Sequence, residues 1–258
     1  MEDKPTGLEV CSNIQFYDGI SVIRSWTELK NNGEEDLGVE YVSSFALLGI
    51  DKEGLLSTDE KLEVLIARNA RQKELIWNRF SMDQLGMSIS QPDKVRRSSQ
   101  TISVGNTGNW STKNYLPMGC LKNKETDSIL FWQIEQNGSW YWEISDQDGH
   151  MYLQLSGPTE HQSHWWKNLK PGDTFASVPV SVGSACGDVE EAAGELTKYR
   201  RAIRRKNEDN EKLPVIFNDY MNCLWGDPTT EKELPLIDKA KEAGCEYFCV
   251  DCGWYSAG

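Results

Sequence analysis

The sequence predicts a β-rich chain. A large antiparallel β-sandwich over residues 1–187 is followed by a helical linker, 188–212, and by one β-α-β unit of a parallel sheet, 213–258. Three observations carry this reading. From about residue 8 to 180, short runs alternate apolar and polar residues with period two and are broken by turn residues, as half-buried strands require. Over 188–206 the apolar spacing changes to three and four, the helical period. The tail, LPVIFNDYMNCLWGDPTTEKELPLIDKAKEAGCEYFCVDCGWYSAG, reads as two short apolar runs around an amphipathic helix, the pattern of parallel strands joined by a crossover.

The composition narrows the function classes. At 258 residues, 38% hydrophobic and 26% charged, the chain is a globular one with room for a large core. A formal net charge of -13 repels polyanions over most of the surface, so neither nucleic acid nor an anionic membrane is an expected partner, and a neutral or cationic ligand fits better. Seven cysteines, an odd number in no even framework, read as reduced thiols of a cytoplasmic protein. The N-terminus MEDKPTGLEVCSN has no basic n-region or apolar h-region, and no apolar run reaches the roughly 18 residues of a membrane span. The sequons at Asn109 and Asn137 are accidental on that reading.

The strands are expected at 8–17, 21–29, 38–48, 62–67, 74–80, 128–136, 139–145, 151–155 and 174–182. Asn31-Asn32-Gly33, Asn137-Gly138 and Gln147-Asp148-Gly149 supply hairpin residues. The last two are expected to join SILFWQIEQ, SWYWEISDQ and HMYLQLS as a meander. Residues 80–110, with the polar run 91–100, show weak periodicity and read as a long loop. His150, His161 and His164 have no metal-ligand spacing.

Ten tryptophans are many for one chain, and eight precede residue 188, with Trp132, Trp140, Trp142, Trp165 and Trp166 close together. Flat rings with a polar edge suit stacking on sugars. They equally suit the gap between two packed sheets, where alternate strand positions point inward. Both readings stay open.

Residues 188–206 place Val189, Ala192, Ala193, Leu196, Tyr199 and Ile203 on one helical face. Asp188, Glu190 and Glu191 at its start and Arg200, Arg201, Arg204, Arg205 and Lys206 at its end complement the helix dipole, so the basic cluster is read as a solvated last turn. The polar run 206–212 completes the linker. A strand at 214–217, a loop with Asn218, Asp219, Tyr220 and Trp225, a helix at 230–243 with Leu234, Ile237 and Ala240 on one face, Gly244 as C-cap, and a strand at 246–250 follow. Two parallel strands alone leave apolar faces and edges open, so the expectation is a longer protein or a partner that completes the sheet.

In parallel α/β architectures reacting groups gather past the C-terminal strand ends. Those ends carry Asn218-Asp219-Tyr220 and Asp251-Cys252-Gly253-Trp254. The alternative is that Asn and Asp there only form turns.

PVIFNDYMN followed by a helix and CEYFCVDCGWYSA resembles the start of the catalytic barrel in glycoside hydrolase family 36, the α-galactosidase (melibiase) type. GVEYVSSFALL, SSQTISVGNTGNW, NYLPMGCL and ILFWQIEQNGSWYWEI are similar to phrases of that family's preceding β-domain, in the same order. The resemblance implies a supersandwich-like β-domain and the first β-α-β of a truncated (β/α)8 barrel. It implies a retaining hydrolase of terminal α-galactosides, with two catalytic aspartates on later strands, none of them within this chain, and with no cofactor or metal. The substrate-binding candidates are Asp251, Cys252, Trp254, Tyr220, Asn218 and Asp219. The partner is an oligosaccharide or other α-glycoside, and homo-oligomerisation through the β-domain is left open. Two positions depart from the family pattern: Cys252 stands where it has a second aspartate, and Tyr220 where it has tryptophan. A thiol is a poor substitute for a charged acceptor, so a modified sugar such as an N-acetylgalactosaminide is an alternative substrate.

Two other readings compete. Cys245, Cys249 and Cys252 have the C-x3-C-x2-C spacing of radical S-adenosylmethionine iron-sulfur sites, although Cys245 and Cys249 sit on or beside a buried strand. The other is a non-catalytic, carbohydrate-binding β-sandwich.

Overall fold

A computed structural model describes residues 1–87, 100–147 and 149–255 of the chain. They form two compact units, Met1–Ile203 and Arg204–Gly258.

In the first unit the strands are β1 (Glu2–Asp3), β2 (Leu8–Phe16), β3 (Val22–Asn31), β4 (Leu37–Val39), β5 (Ser43–Leu48), β6 (Leu62–Ala70), β7 (Lys73–Ser81) and β8 (Ile102–Asn106). They continue with β9 (Tyr115–Asn123), β10 (Ser128–Ile134), β11 (Trp140–Gln147), β12 (His150–Ser156), β13 (Lys167–Leu169), β14 (Thr174–Ala176) and β15 (Val180–Cys186). The helices are α1 (Thr58–Lys61), α2 (Glu160–Ser163) and α3 (Val189–Ile203). A nine-stranded sheet runs β1-β2-β3-β15-β10-β9-β6-β7, with β14 also on β3, and a four-stranded sheet runs β5-β12-β11-β8. All their pairings are antiparallel.

Period two sorts the side chains of the large sheet between two neighbours. On β10, Leu130, Trp132 and Ile134 pack into one core with Trp140, Trp142, Ile144, Leu153 and Leu155 of the four-stranded sheet. Ile129 and Phe131 point the other way, against Ala192, Leu196 and Tyr199 of α3. The unit is therefore a sandwich with a helix laid on the outer face of its larger sheet. Trp132 and Trp142 meet edge to face, 5.1 Å between centroids. Burying such a ring removes on the order of 200 Å² from water, worth about 5 kcal/mol at 25 cal/mol/Å². These tryptophans are core, which decides three of the five clustered indoles against a sugar-binding role.

The helix expected to act as a linker thus belongs with the sandwich, because its apolar stripe has the outer sheet face to cover. Arg79 grips Asp188 ahead of it through one Nη at 2.7 Å from both carboxylate oxygens, and the Tyr199 hydroxyl donates to Glu135 after β10.

Several strand expectations are corrected. The meander across 128–155 breaks at Asn137-Gly138, because β10 and β11 lie in opposite sheets, and only β11 and β12 form a hairpin. Asn31-Asn32-Gly33 closes no hairpin either. Asn31 is buried, and its side-chain amide donates to the carbonyls of Glu35 and Leu169, tying β3 to the small β4-β13 ladder. The run 38–48 divides into β4 and β5 in different sheets, and 174–182 into β14 and β15, interrupted by Ser177-Val178-Pro179. Within 80–110 lies β8, an edge strand of the smaller sheet, while residues 88–99, and with them most of the polar run, fall outside the described residues, as does Asp148.

Strand β9 is central, between β10 and β6, and nothing in the periodicity announced it. Pro117, which argues against a central strand, falls where the register shifts between Ile66↔Gly119 and Arg68↔Tyr115. Gly119 is directly opposite Trp132, and a Cβ there would lie 2.5 Å from Trp132 Cζ2.

The second unit holds α4 (Glu208–Lys212), β16 (Ile216–Asn218), α5 (Thr230–Glu242) and β17 (Tyr247–Cys249). Asn207 caps α4 by accepting the Asp209 and Asn210 amides. The two strands pair in parallel, Phe217 beside Phe248 with their rings stacked at 5.2 Å. The helix phase differs from expectation: Glu233 and Ala240 are buried, while Leu234 and Ile237 are 59% and 42% exposed.

Candidate functional site

The register Asn218↔Cys249 brings the two strand ends of the second unit level, so the residues that follow each strand emerge side by side. Two loops then lock together. Gly226 and Gly253 both have φ of +85°, and a Cβ on Gly253 would fall 2.0 Å from the Gly226 carbonyl oxygen. Only glycine fits there, which gives the Asp-Cys-Gly-Trp run its third residue a physical reason.

Asn218 is the hinge of the site. Its Oδ1 accepts the Tyr220 amide at 2.9 Å, which fixes the side-chain flip, and its Nδ2 donates to Asp251 Oδ2 at 2.9 Å. Asp251 is exposed, so its carboxylate is aimed by one neutral donor and keeps acceptor capacity for a ligand. Trp254 donates its indole N–H back to the Asp251 main-chain carbonyl at 3.1 Å and is itself 67% exposed. Tyr220 packs edge-on against Trp225, 5.9 Å between centroids.

Asp219 works differently from its neighbours. It is 1% exposed, and its Oδ1 accepts the Asp251 amide at 2.9 Å, so it shapes the turn from below. Glu233 of α5 lies beside it, a residue that sequence reasoning missed. Burial, and then the hydrogen bond and negative charge of Asp219, raise the Glu233 carboxyl above its ordinary pKa. Protonated, it can donate to Asp219; ionised, it sets two carboxylates against each other. Spacing was the available signal: Glu233, Leu236 and Ala240 lie three and four apart.

Cys252 Sγ is 3.1 Å from the Tyr255 hydroxyl, a contact that raises the phenol's pKa. Of the six candidates, then, Asn218 and Asp251 are joined directly, Trp254 bonds back to the Asp251 carbonyl, Asp219 is buried beneath, Tyr220 packs edge-on against Trp225, and Cys252 pairs with Tyr255. The iron-sulfur reading finds no support in this arrangement. Among the described residues no three His, Cys, Asp or Glu side chains converge as metal ligands, so Cys245, Cys249 and Cys252 do not gather their sulfurs.

No family model matches the chain. The α-galactosidase Mel36A of Lactobacillus acidophilus is 23% identical over 99% of this chain, which covers 32% of that protein. The structure superposes on the GH36 α-galactosidase AgaA of Geobacillus stearothermophilus, solved as a variant in complex with stachyose, with a TM-score of 0.78 at 17% identity, over 99% of this chain and 33% of that one. The likeness is to the family 36 α-galactosidases. The galactosidase domain of the α-galactosidase-sucrose kinase AgaSK gives the same TM-score at 20% identity, over 98% of this chain and 32% of that one. This chain spans about a third of the length of these family 36 relatives, and its large antiparallel sheets match their N-terminal domain.

Proposed function

We propose that these 258 residues are the N-terminal part of a retaining glycoside hydrolase acting on terminal α-galactosides or related α-glycosides. The observation that carries the proposal is the Asn218–Asp251 pair at the level ends of two parallel strands, where such folds place substrate contacts. Likeness to family 36 along nearly the whole chain supports it. On this reading the unit from residue 213 is the first β-α-β of a (β/α)8 barrel. Asp251 accepts sugar hydroxyls, Asn218 orients it, and the Trp254 ring offers a face to the apolar side of the sugar. The nucleophile and general acid/base come from sequence beyond the 258 residues. A cytoplasmic location belongs to the same proposal and rests on the odd number of cysteines in the sequence, which forms no even disulfide framework.

The Cys252–Tyr255 contact favours a second substrate reading. Where the family pattern has an acidic acceptor, this site presents a thiol already paired with a phenol, so a 2-acetamido sugar is a candidate beside galactose itself.

The test compares p-nitrophenyl α-galactoside and α-N-acetylgalactosaminide turnover by the 258-residue chain and by the product of the uninterrupted reading frame. The longer product is expected to hydrolyse one of them, and Asp251→Asn to lower its kcat/KM by about 10–100-fold, the worth of a charge-assisted hydrogen bond. Turnover by the short chain alone, or an Asp251→Asn enzyme with unchanged kcat/KM, sinks the proposal.

A further inference from the structure

The first unit carries a cavity of about 510 Å³ where the interruption between β14 and β15 faces β3, and Arg24, Trp26, Glu135, Trp165, Phe175 and Ser177 line it. We infer that this cavity is a binding site for one neutral pyranose unit of an oligosaccharide.

The cavity opens to solvent as a groove, and its volume lies within the roughly 300–1,000 Å³ of small-molecule sites. Three aromatic side chains border it, and each is held. Trp165 packs on Phe175 with centroids 5.4 Å apart and planes tilted by 39°, and the Trp26 indole N–H donates to Glu28 at 2.9 Å. Ordering these rings therefore takes little additional entropy from a ligand.

The polar side is equally built. Arg24 donates Nε and Nη2 to Glu135 Oε2 at 2.9 and 2.6 Å, and the Tyr199 hydroxyl donates to Glu135 Oε1. The Glu135 amide donates to the Pro179 carbonyl at 2.9 Å. Ser177 Oγ, nearly buried, takes the Thr27 amide and the Ser44 hydroxyl at 2.9 Å each. The Arg24 side chain is 31% exposed and that of Glu135 13%, and both residues line the cavity.

This combination selects the ligand class. A hydrocarbon would strand the Arg24–Glu135 pair without water. A phosphate or other anion would meet an arginine already neutralised, in a chain of net charge -13. A cation would find the carboxylate of the lining, Glu135, already taken by Arg24 and the Tyr199 hydroxyl. A pyranose offers an apolar C–H face for the rings and hydroxyls that both donate to a carboxylate and accept from a guanidinium. The inference rests on the first unit alone and not on the glycosidase reading, which stands or falls by turnover and Asp251.

The purified chain should be titrated with methyl α-galactoside, methyl α-glucoside, methyl α-mannoside and raffinose. Ligand-observed saturation-transfer NMR and backbone amide shifts read the binding. At least one sugar is expected to saturate in the millimolar range and to shift amides at 24–28, 135–136 and 175–178. Trp165→Ala should weaken it about tenfold, Glu135→Gln should weaken it too, and Trp165→Phe should retain most of the affinity. The amide map serves if Trp165→Ala does not fold. No saturable binding up to about 100 mM, or amide shifts confined elsewhere, overturns the inference.

Discussion

Trp140 and Trp142 are equally buried in the sandwich, at 1% and 0% exposure, but replacing each by phenylalanine should have different consequences. In both cases the loss of ring surface is roughly 40 Å², about 1 kcal/mol at 25 cal/mol/Å². Trp140 also donates its indole N–H to the Ser111 carbonyl at 2.7 Å. Removing that donor forfeits a bond worth about 1 kcal/mol and leaves a half-buried carbonyl with less than its full hydration, so the total loss is about 2–3 kcal/mol. The Trp142 indole N–H has no hydrogen-bond partner among the described residues. Phenylalanine deletes a stranded donor whose desolvation costs about 1–3 kcal/mol, while its ring still meets Trp132 edge-on, so the substitution should fall near neutral. Equilibrium urea unfolding followed by far-UV circular dichroism reads the contrast. At about 2 kcal/mol per molar, the Trp140→Phe midpoint should lie about 1 M below that of Trp142→Phe. Equal losses, or a larger loss for Trp142→Phe, would refute the reasoning.

Three further outcomes are expected. Gly119→Ala pushes a methyl to 2.5 Å from Trp132 Cζ2 in a full core, and should destabilise the first unit by about 1–3 kcal/mol in the same urea assay. Burial, with the Asp188 charge second, pushes the Cys120 thiol up to about 12, so at about pH 8 mass spectrometry should find it unlabelled by iodoacetamide in the folded chain while exposed Cys11 and Cys186 react. Glu233 has a raised carboxyl pKa, so the folded state binds more protons than the unfolded one between the unfolded and folded values. Stability from this group is full below the unfolded value and is lost as pH rises through the folded one. Glu233→Gln keeps a donor toward Asp219 at every pH, and hydrogen exchange across 213–255 should show its protection gaining on the parent as pH rises through that window; a constant difference refutes it.

The individual strands β10, β11 and β12 were legible because period two survives in each of them. Which sheet each joins was not, since alternation tells which side chains face inward and nothing about what lies across from them. Asn137-Gly138 has hairpin chemistry, yet the Trp132 and Trp142 rings face each other across the core because the chain there changes sheets. Strand β9 was hidden by Pro117 and Gly119, whose reasons lie in a register shift and in the Trp132 ring. In the second unit Asn218 and Asp251 stood out as polar groups ending apolar strands. Glu233 did not, because Leu234 and Ile237 suggested a different helix phase. The resemblance to family 36 was carried by short phrases spread along the chain, and the structural likeness extends over 99% of it.

Strand β10 serves two masters: Trp132 and Ile134 belong to the tryptophan core, Ile129 and Phe131 to the helix layer. Adding one residue to it would turn an indole toward α3 and a phenylalanine into the core, spoiling two interfaces with one event. Length variation among descendants of this chain should therefore collect at the β11–β12 turn, and within β10 natural variants should differ by exchange of residues and never by a single insertion. An insertion scan scored for folded protein would draw that boundary residue by residue.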